Sequence, residues 1–166
     1  MSDLRIRPAE PGDLAGLTAI YNHYVTGTAI TFDIDRQEPE DRRGWYVEHT
    51  SGPGHHLLVV EEGADVLGYA GTGPFRDRRA YETTVETTIY LDPAATGRGL
   101  GTLLYTALFT ALAGEDVHRA VAGITLPNPV SLALHRRFGF RDVGVFTETG
   151  RKLGRFWDVA WLERDL

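Results

Sequence analysis

From Thr84 to Ala111 the chain changes its hydrophobic period, and that change narrows what it can fold into. Val85, Thr87, Ile89 and Leu91 alternate with Thr84, Glu86, Thr88 and Tyr90. This is the two-residue period of a strand, and it puts Glu86 and Tyr90 on one face. Leu100, Leu103, Leu104, Ala107, Leu108 and Ala111 then recur at three and four, the period of an amphipathic helix. Between the two lies Gly97-Arg98-Gly99-Leu100-Gly101-Thr102. Glycines let backbone amides approach an anion closely, and a helix start adds the positive end of its dipole, so a pyrophosphate suits this turn. Read from the glycine spacing alone, a tight strand-to-helix turn without a ligand fits as well.

The flanking segments supply the rest of a mixed fold. Leu4 to Arg7 alternates up to Pro8 and reads as a short strand. Asp13 is placed to cap a helix carrying Leu14, Leu17, Tyr21, Tyr24 and Val25, and Pro39 to His49 reads as a second helix. Leu57–Glu62 and Val66–Ala70, parted by Gly63 and Asp65, suggest a hairpin. Val117–Leu126 is a further strand. Asn128-Pro129 then opens a helix, with a capping residue before a proline at the first helical position, and Gly139 is placed to end it. Phe140 to Leu166 reads as two strands around a loop near Gly150 and Gly154. Helices and strands mix without strict alternation, which predicts an α/β (α+β) fold on a mixed sheet. With no repeat or linker, 1–166 reads as a single domain.

Composition removes several function classes. The chain has no cysteine, which excludes disulfides, thiolate metal sites and a cysteine nucleophile. A net charge of -6 argues against nucleic acid or an anionic membrane as the main partner. Met1 to Pro8 lacks the apolar core of a signal peptide, and no stretch approaches the ~18 apolar residues of a membrane span, so a soluble cytoplasmic protein is expected. The turn lacks the Gly-Lys-Ser/Thr of a P-loop, and Thr102 stands where a dinucleotide fingerprint needs its third glycine. The remaining histidines, His23, His49, His55, His56 and His118, show no metal-ligand spacing, and no Gly-x-Ser-x-Gly elbow occurs. Neither a metal site nor a serine hydrolase is expected.

Glu86 lies on a strand beside the glycine turn, with polar neighbours on its face; on the residues alone it reads as a solvated strand residue before a candidate general base. Arg76, Arg78 and Arg79 form a basic cluster before that strand, which on the residues alone reads as a solvated loop.

The glycine turn, together with Asn128-Pro129-Val130-Ser131, Leu134-His135 and Phe138-Gly139-Phe140, resembles the GNAT superfamily of N-acetyltransferases. Nearly the whole chain is similar to its phosphinothricin and methionine sulfoximine acetyltransferase branch. The likeness runs through Thr31-Phe32, Gly73-Pro74-Phe75-Arg76, Thr84 to Leu91 and Gly154-Arg155-Phe156-Trp157-Asp158. The resemblance implies a mostly antiparallel central sheet flanked by helices and acetyl-CoA as co-substrate, with no metal. It implies pyrophosphate contacts at Gly97, Arg98, Gly99, Leu100, Gly101 and Thr102, where the family usually opens the turn with Gln or Arg and this chain has Thr96. Ile89, Tyr90 and Leu91 would flank the thioester, with a strand amide near Tyr90 or Leu91 for the oxyanion, and Asn128 and Ser131 would flank the pantetheine arm. Glu86 would be the base. His135, where many relatives have a tyrosine acid, reads as an acid, a second base or a packing residue. Phe32, Phe75, Arg76, Arg78, Tyr81, Thr84 and Val85 would form the substrate pocket. The implied activity is acetylation of a small amino-acid-like amine. Acetylation of a peptide N-terminus or polyamine, and a non-catalytic acyl-CoA sensor, are the alternatives. A homodimer is also expected; Phe156, Trp157 and Trp161 would serve its interface or the core.

Overall fold

The computed structural model describes residues 4–166; residues 1–3, part of the start read for a leader, lie outside it. Seven strands form one sheet: β1 (Leu4–Pro8), β2 (Leu57–Glu62), β3 (Asp65–Pro74), β4 (Thr84–Leu91), β5 (Arg119–Thr125), β6 (Arg141–Lys152) and β7 (Arg155–Asp165). Their order is β1-β2-β3-β4-β5-β7-β6. Every pair is antiparallel except β4–β5. The four helices are α1 (Leu14–Gly27), α2 (Arg43–Thr50), α3 (Leu100–Leu112) and α4 (Pro129–Arg137).

Alternation along β2 shows how the layers divide. Leu57 and Val59 pack with Leu17 and Ile20 of α1, whereas Leu58 and Val60 pack with Leu104 and Leu108 of α3. The sheet is thus buried on both faces, by α1 and α2 on one and by α3 on the other. A third cluster joins Val85, Ala120, Ala122 and Leu162 to Phe140 after α4.

Three local expectations change. The strand expected to stop at Ala70 runs on to Pro74. Gly71 and Gly73 stay extended within it because each lies under a close neighbour; a Cβ on Gly71 would stand 2.8 Å from the His56 carbonyl oxygen. Asp13 stands at the N-cap of α1, as expected, but its side chain makes no capping hydrogen bond. Its carboxylate faces back, accepting the Glu10 amide at 2.7 Å and pairing with Arg7 at 2.7 Å. Gly150 lies inside β6, and the hairpin reverses at Leu153-Gly154, with φ of 52° and 76°. Two consecutive positive φ values match the twist of a tight two-residue hairpin.

Candidate active site

The site begins where two strands part. β4 and β5 pair in register only at Thr84–Arg119, Val85–Ala120 and Glu86–Val121. Beyond Glu86 they diverge, and a cleft opens between Thr88 and Tyr90 on one side and Gly123 and Thr125 on the other. Asn128, Ser131 and His135 of the α4 segment border the same cleft. A gap in a parallel pair exposes strand amides and carbonyls that would otherwise bond across it. This is a slot for an extended polar chain.

Glu86 stands at the last paired position. Its carboxyl group has no hydrogen bond or ion pair with a described residue, and burial raises its pKa above the usual glutamate range. A desolvated carboxylate without a partner holds a proton more readily than one in water. Thr88 and Tyr90 share its face and border a second hollow, with Tyr21, Arg42 and Trp45 of the α1–α2 layer.

The glycine turn lies one strand-length away. Gly97 and Gly99 both have φ of +77°, and nothing lies within 4 Å of where a side chain on either would begin. The first amides to reach carbonyls are those of Thr102 and Leu103, both on Gly99 O, at 3.1 and 3.2 Å. The amides before them are free, as at any helix start. The backbone therefore fits an anion such as a pyrophosphate. Two side chains of the turn serve other ends. Arg98 pairs with Glu62 at 2.9 Å, and Leu100 is 1% exposed in the core. Gly101 lets α4 approach, since a Cβ there would meet Leu134 at 3.3 Å.

Around α4, Asn128 caps the helix by accepting the Ser131 amide at 3.1 Å. His135 is 3% exposed, and both ring nitrogens are engaged. Nδ1 lies 2.8 Å from the Ser131 carbonyl oxygen, which can only accept, so the proton sits on Nδ1. Nε2 then accepts from the Tyr105 hydroxyl at 2.8 Å. Burial lowers the His135 pKa, and the ring is neutral.

The expected pocket residues are only partly brought together. Arg76 lies over the rings of Phe75 (4.8 Å) and Tyr81 (5.5 Å), and Thr84 lines a hollow with Arg76, Arg78 and Tyr81. Trp161 links Phe75, at 6.1 Å between centroids, to Gly123 at the cleft. Arg78 is exposed and has no ion pair among the described residues. Val85 is fully buried, with its side chain in the core on the face opposite Glu86. Phe32 packs on Gly150 of β6 and makes no ring contact with Phe75 or Tyr81. Ile89 packs against the α3 cluster. Tyr90 turns into rings of the α1 side, 5.2 Å from Tyr21 and 5.6 Å from Tyr69. The Leu91 carbonyl accepts the Tyr24 hydroxyl at 2.6 Å.

Residues that sequence reading did not select also surround the site. Arg42 is 3% exposed, lies 3.9 Å from the Trp45 ring and 4.2 Å from the Tyr21 ring, and donates to the Leu17 carbonyl at 3.3 Å. It has no carboxylate partner among the described residues. Arg42, Trp45 and His49 recur at three and four, the one sequence signal that they share a helix face. No group of three or more His, Cys, Asp or Glu able to hold a metal occurs among the described residues.

Comparison with known proteins bears on the family of the chain. The profile of the Acetyltransferase (GNAT) family matches residues 17–140. Phosphinothricin N-acetyltransferase of Streptomyces coelicolor is 52% identical, over 99% of this chain and 98% of its own. The L-methionine sulfoximine/L-methionine sulfone acetyltransferase of Salmonella typhimurium is 35% identical, over 98% of this chain and 95% of its own. Among solved structures, a GNAT superfamily phosphinothricin acetyltransferase from Sinorhizobium meliloti in complex with AcCoA superposes with a TM-score of 0.92 at 34% identity. That match covers 100% of this chain and 89% of the other.

Proposed function

The chain belongs to the GNAT family of acetyltransferases, and from that premise we propose that it acetylates the amino group of small amino acids of the phosphinothricin, methionine sulfoximine or methionine sulfone type. Acetyl-CoA is the co-substrate in this reading. The observation that carries it is the unpartnered Glu86 carboxyl at the point where β4 and β5 part.

The chemistry runs by direct attack. An aliphatic amine is largely protonated near neutral pH and must lose a proton before it can attack. Glu86, with its raised pKa, takes that proton. The nitrogen then bonds to the thioester carbon and a strand amide beside Tyr90 or Leu91 holds the oxyanion; as the oxyanion collapses the carbon–sulfur bond breaks, and the acylated nitrogen gives its extra proton to the departing thiolate, which leaves as CoA thiol. Gly97 to Thr102 holds the pyrophosphate through backbone amides, contacts that Thr96 in place of Gln or Arg leaves intact. Asn128 and Ser131 border the pantetheine arm. His135, with both nitrogens committed, acts as a positioning residue that fixes Tyr105 and α4. Arg76, stacked on Phe75 and Tyr81 with Thr84 beside it, receives the anionic head of the substrate, and Arg78 adds charge at the rim.

We also assign the chain to the cytoplasm as a homodimer. No helix among the described residues is long and apolar enough to cross a membrane. The exposed Val143, Val145 and Phe146 of β6 support pairing of two copies. Sedimentation of the purified protein as a monomer at micromolar concentration would remove that assignment.

Thiol release from acetyl-CoA tests the substrate class against methionine sulfone, methionine sulfoximine, phosphinothricin, spermidine and short peptides. The amino acids should react fastest, and Arg76→Ala should lower their kcat/KM by about 10- to 150-fold, the weight of one hydrogen bond to a charged group. Faster acetylation of spermidine, with no effect of Arg76→Ala on the amino acids, would contradict this reading.

A further inference from the structure

His49 belongs to no sequence motif, and the reaction described above proceeds without assigning it a role. It sits near the end of α2, with Nδ1 2.8 Å from the Trp45 carbonyl oxygen. A carbonyl only accepts, so Nδ1 carries the proton and Nε2 keeps its lone pair. The ring stacks on Trp45 with centroids 4.6 Å apart, and Trp45 carries the Arg42 guanidinium 3.9 Å from its ring. The imidazole is therefore braced from behind.

Its front lies on Gly73. A Cβ at that position would stand 2.6 Å from His49 Nε2 and 2.7 Å from Cε1, so only glycine admits the ring. Gly73 is the register partner of Glu86 in the β3–β4 pair. Directly opposed residues of an antiparallel pair project to the same face, with Cβ atoms roughly 4.5–5.5 Å apart. Nε2 thus occupies the place of a residue 73 side chain, beside Glu86 and on its face. Neither Nε2 nor the Glu86 carboxylate has a hydrogen bond or ion pair among the described residues. Two acceptors thus share one face at paired register positions, neither with a donor among the described residues.

We propose that His49 Nε2 is the second hydrogen-bond acceptor for the attacking amine, acting with Glu86 across the β3–β4 pair. The inference rests on the N-acetyltransferase reading above. A primary ammonium group gives one proton to Glu86 and keeps two N–H bonds. One of these donates to Nε2, and the freed lone pair turns toward the thioester carbon. Burial, with smaller contributions from His55 and Arg42, holds the His49 pKa down at about 4, so the ring remains a neutral acceptor at the pH where the amine must react. Glu86, across the strand pair, is the facing acid.

His49→Phe keeps a flat ring on Trp45 and over Gly73 and removes the acceptor; His49→Gln restores an acceptor on a different frame. With methionine sulfone, His49→Phe should lower kcat by about 10- to 100-fold, leave the KM for acetyl-CoA unchanged, and leave Gln clearly more active than Phe. Wild-type turnover in His49→Phe would overturn the proposal, and so would equal losses in the two variants, which would mark a packing role. A wild-type protein that acetylates none of the amines would overturn this inference together with the reading beneath it. If His49→Phe fails to fold, the ¹⁵N resonance of Nε2 in the wild-type protein decides. It should shift when methionine sulfone binds the protein in the presence of CoA, and an unmoved resonance would overturn the proposal.

Discussion

Glu86 is costly to the free protein in a way that suits a base. Its pKa is raised by burial, so its charged form is disfavoured in the fold relative to the unfolded chain. The linkage has a definite sign. Stability is greater while the group is protonated and falls as pH rises from the ordinary glutamate range through the raised folded pKa. Glu86→Gln removes that charge. It should raise the melting temperature at neutral pH even as it removes activity, the trade-off expected where function needs a desolvated group. A lower melting temperature for the variant across neutral pH would show that the carboxylate is not strained by burial. Tyr105→Phe should act in the opposite direction. It strands His135 Nε2 in the interior, at a cost of about 1–3 kcal/mol, or roughly 2–12 °C for a chain of this size, as read by thermal unfolding. The face on which Glu86 stands was legible, because strand period fixes it. His49 was not, because its place depends on α2 packing across the sheet onto Gly73, a contact that leaves no spacing signal.

The elements that make the site are β4, its glycine turn and α3, and these were the most legible. Each has its own period or breaker residue, and β4, α3 and the cap of α4 fall where the sequence puts them. The parting of β4 from β5 was not legible, since no local pattern says where a parallel pair ends. The continuation of β3 through Gly71 and Gly73 was hidden for a related reason: a glycine kept for close packing looks the same as one kept for a turn. Gly99→Asp tests the turn. At φ of +77° the aspartate is strained, and its carboxylate enters the open space assigned to the pyrophosphate. Calorimetry should show at least about tenfold weaker acetyl-CoA binding by a folded variant, a loss of ~1.4 kcal/mol. Unchanged affinity would move the pyrophosphate elsewhere. Gly73→Ala tests the approach of α2 to the sheet. The new methyl group cannot coexist with His49 in place, so the variant should lose about 1–3 kcal/mol of stability in denaturant unfolding.

Taken as a whole, the molecule divides its labour between the two faces of one sheet. The α3–α4 face supplies the glycine turn and the capped helix, and the α1–α2 face supplies the rings, Arg42 and His49 around Glu86. The last hairpin ties the second face down: Lys152, 6% exposed, donates to the Thr31 carbonyl at 2.7 Å, and Phe32 lies on Gly150 beside it. The overall fold was legible through the resemblance together with the mixed order of elements. This long-range tie was not, because it joins residues more than a hundred positions apart. The proposed reaction sends the proton of the attacking amine to Glu86. It is tested most directly by kcat for methionine sulfone against pH, in wild type and Glu86→Gln. Near neutral pH the variant should be slower by ~100- to 10,000-fold, and the gap should narrow as pH rises and free amine becomes abundant. Equal turnover at neutral pH, under conditions where the chemical step limits the rate, would contradict the account.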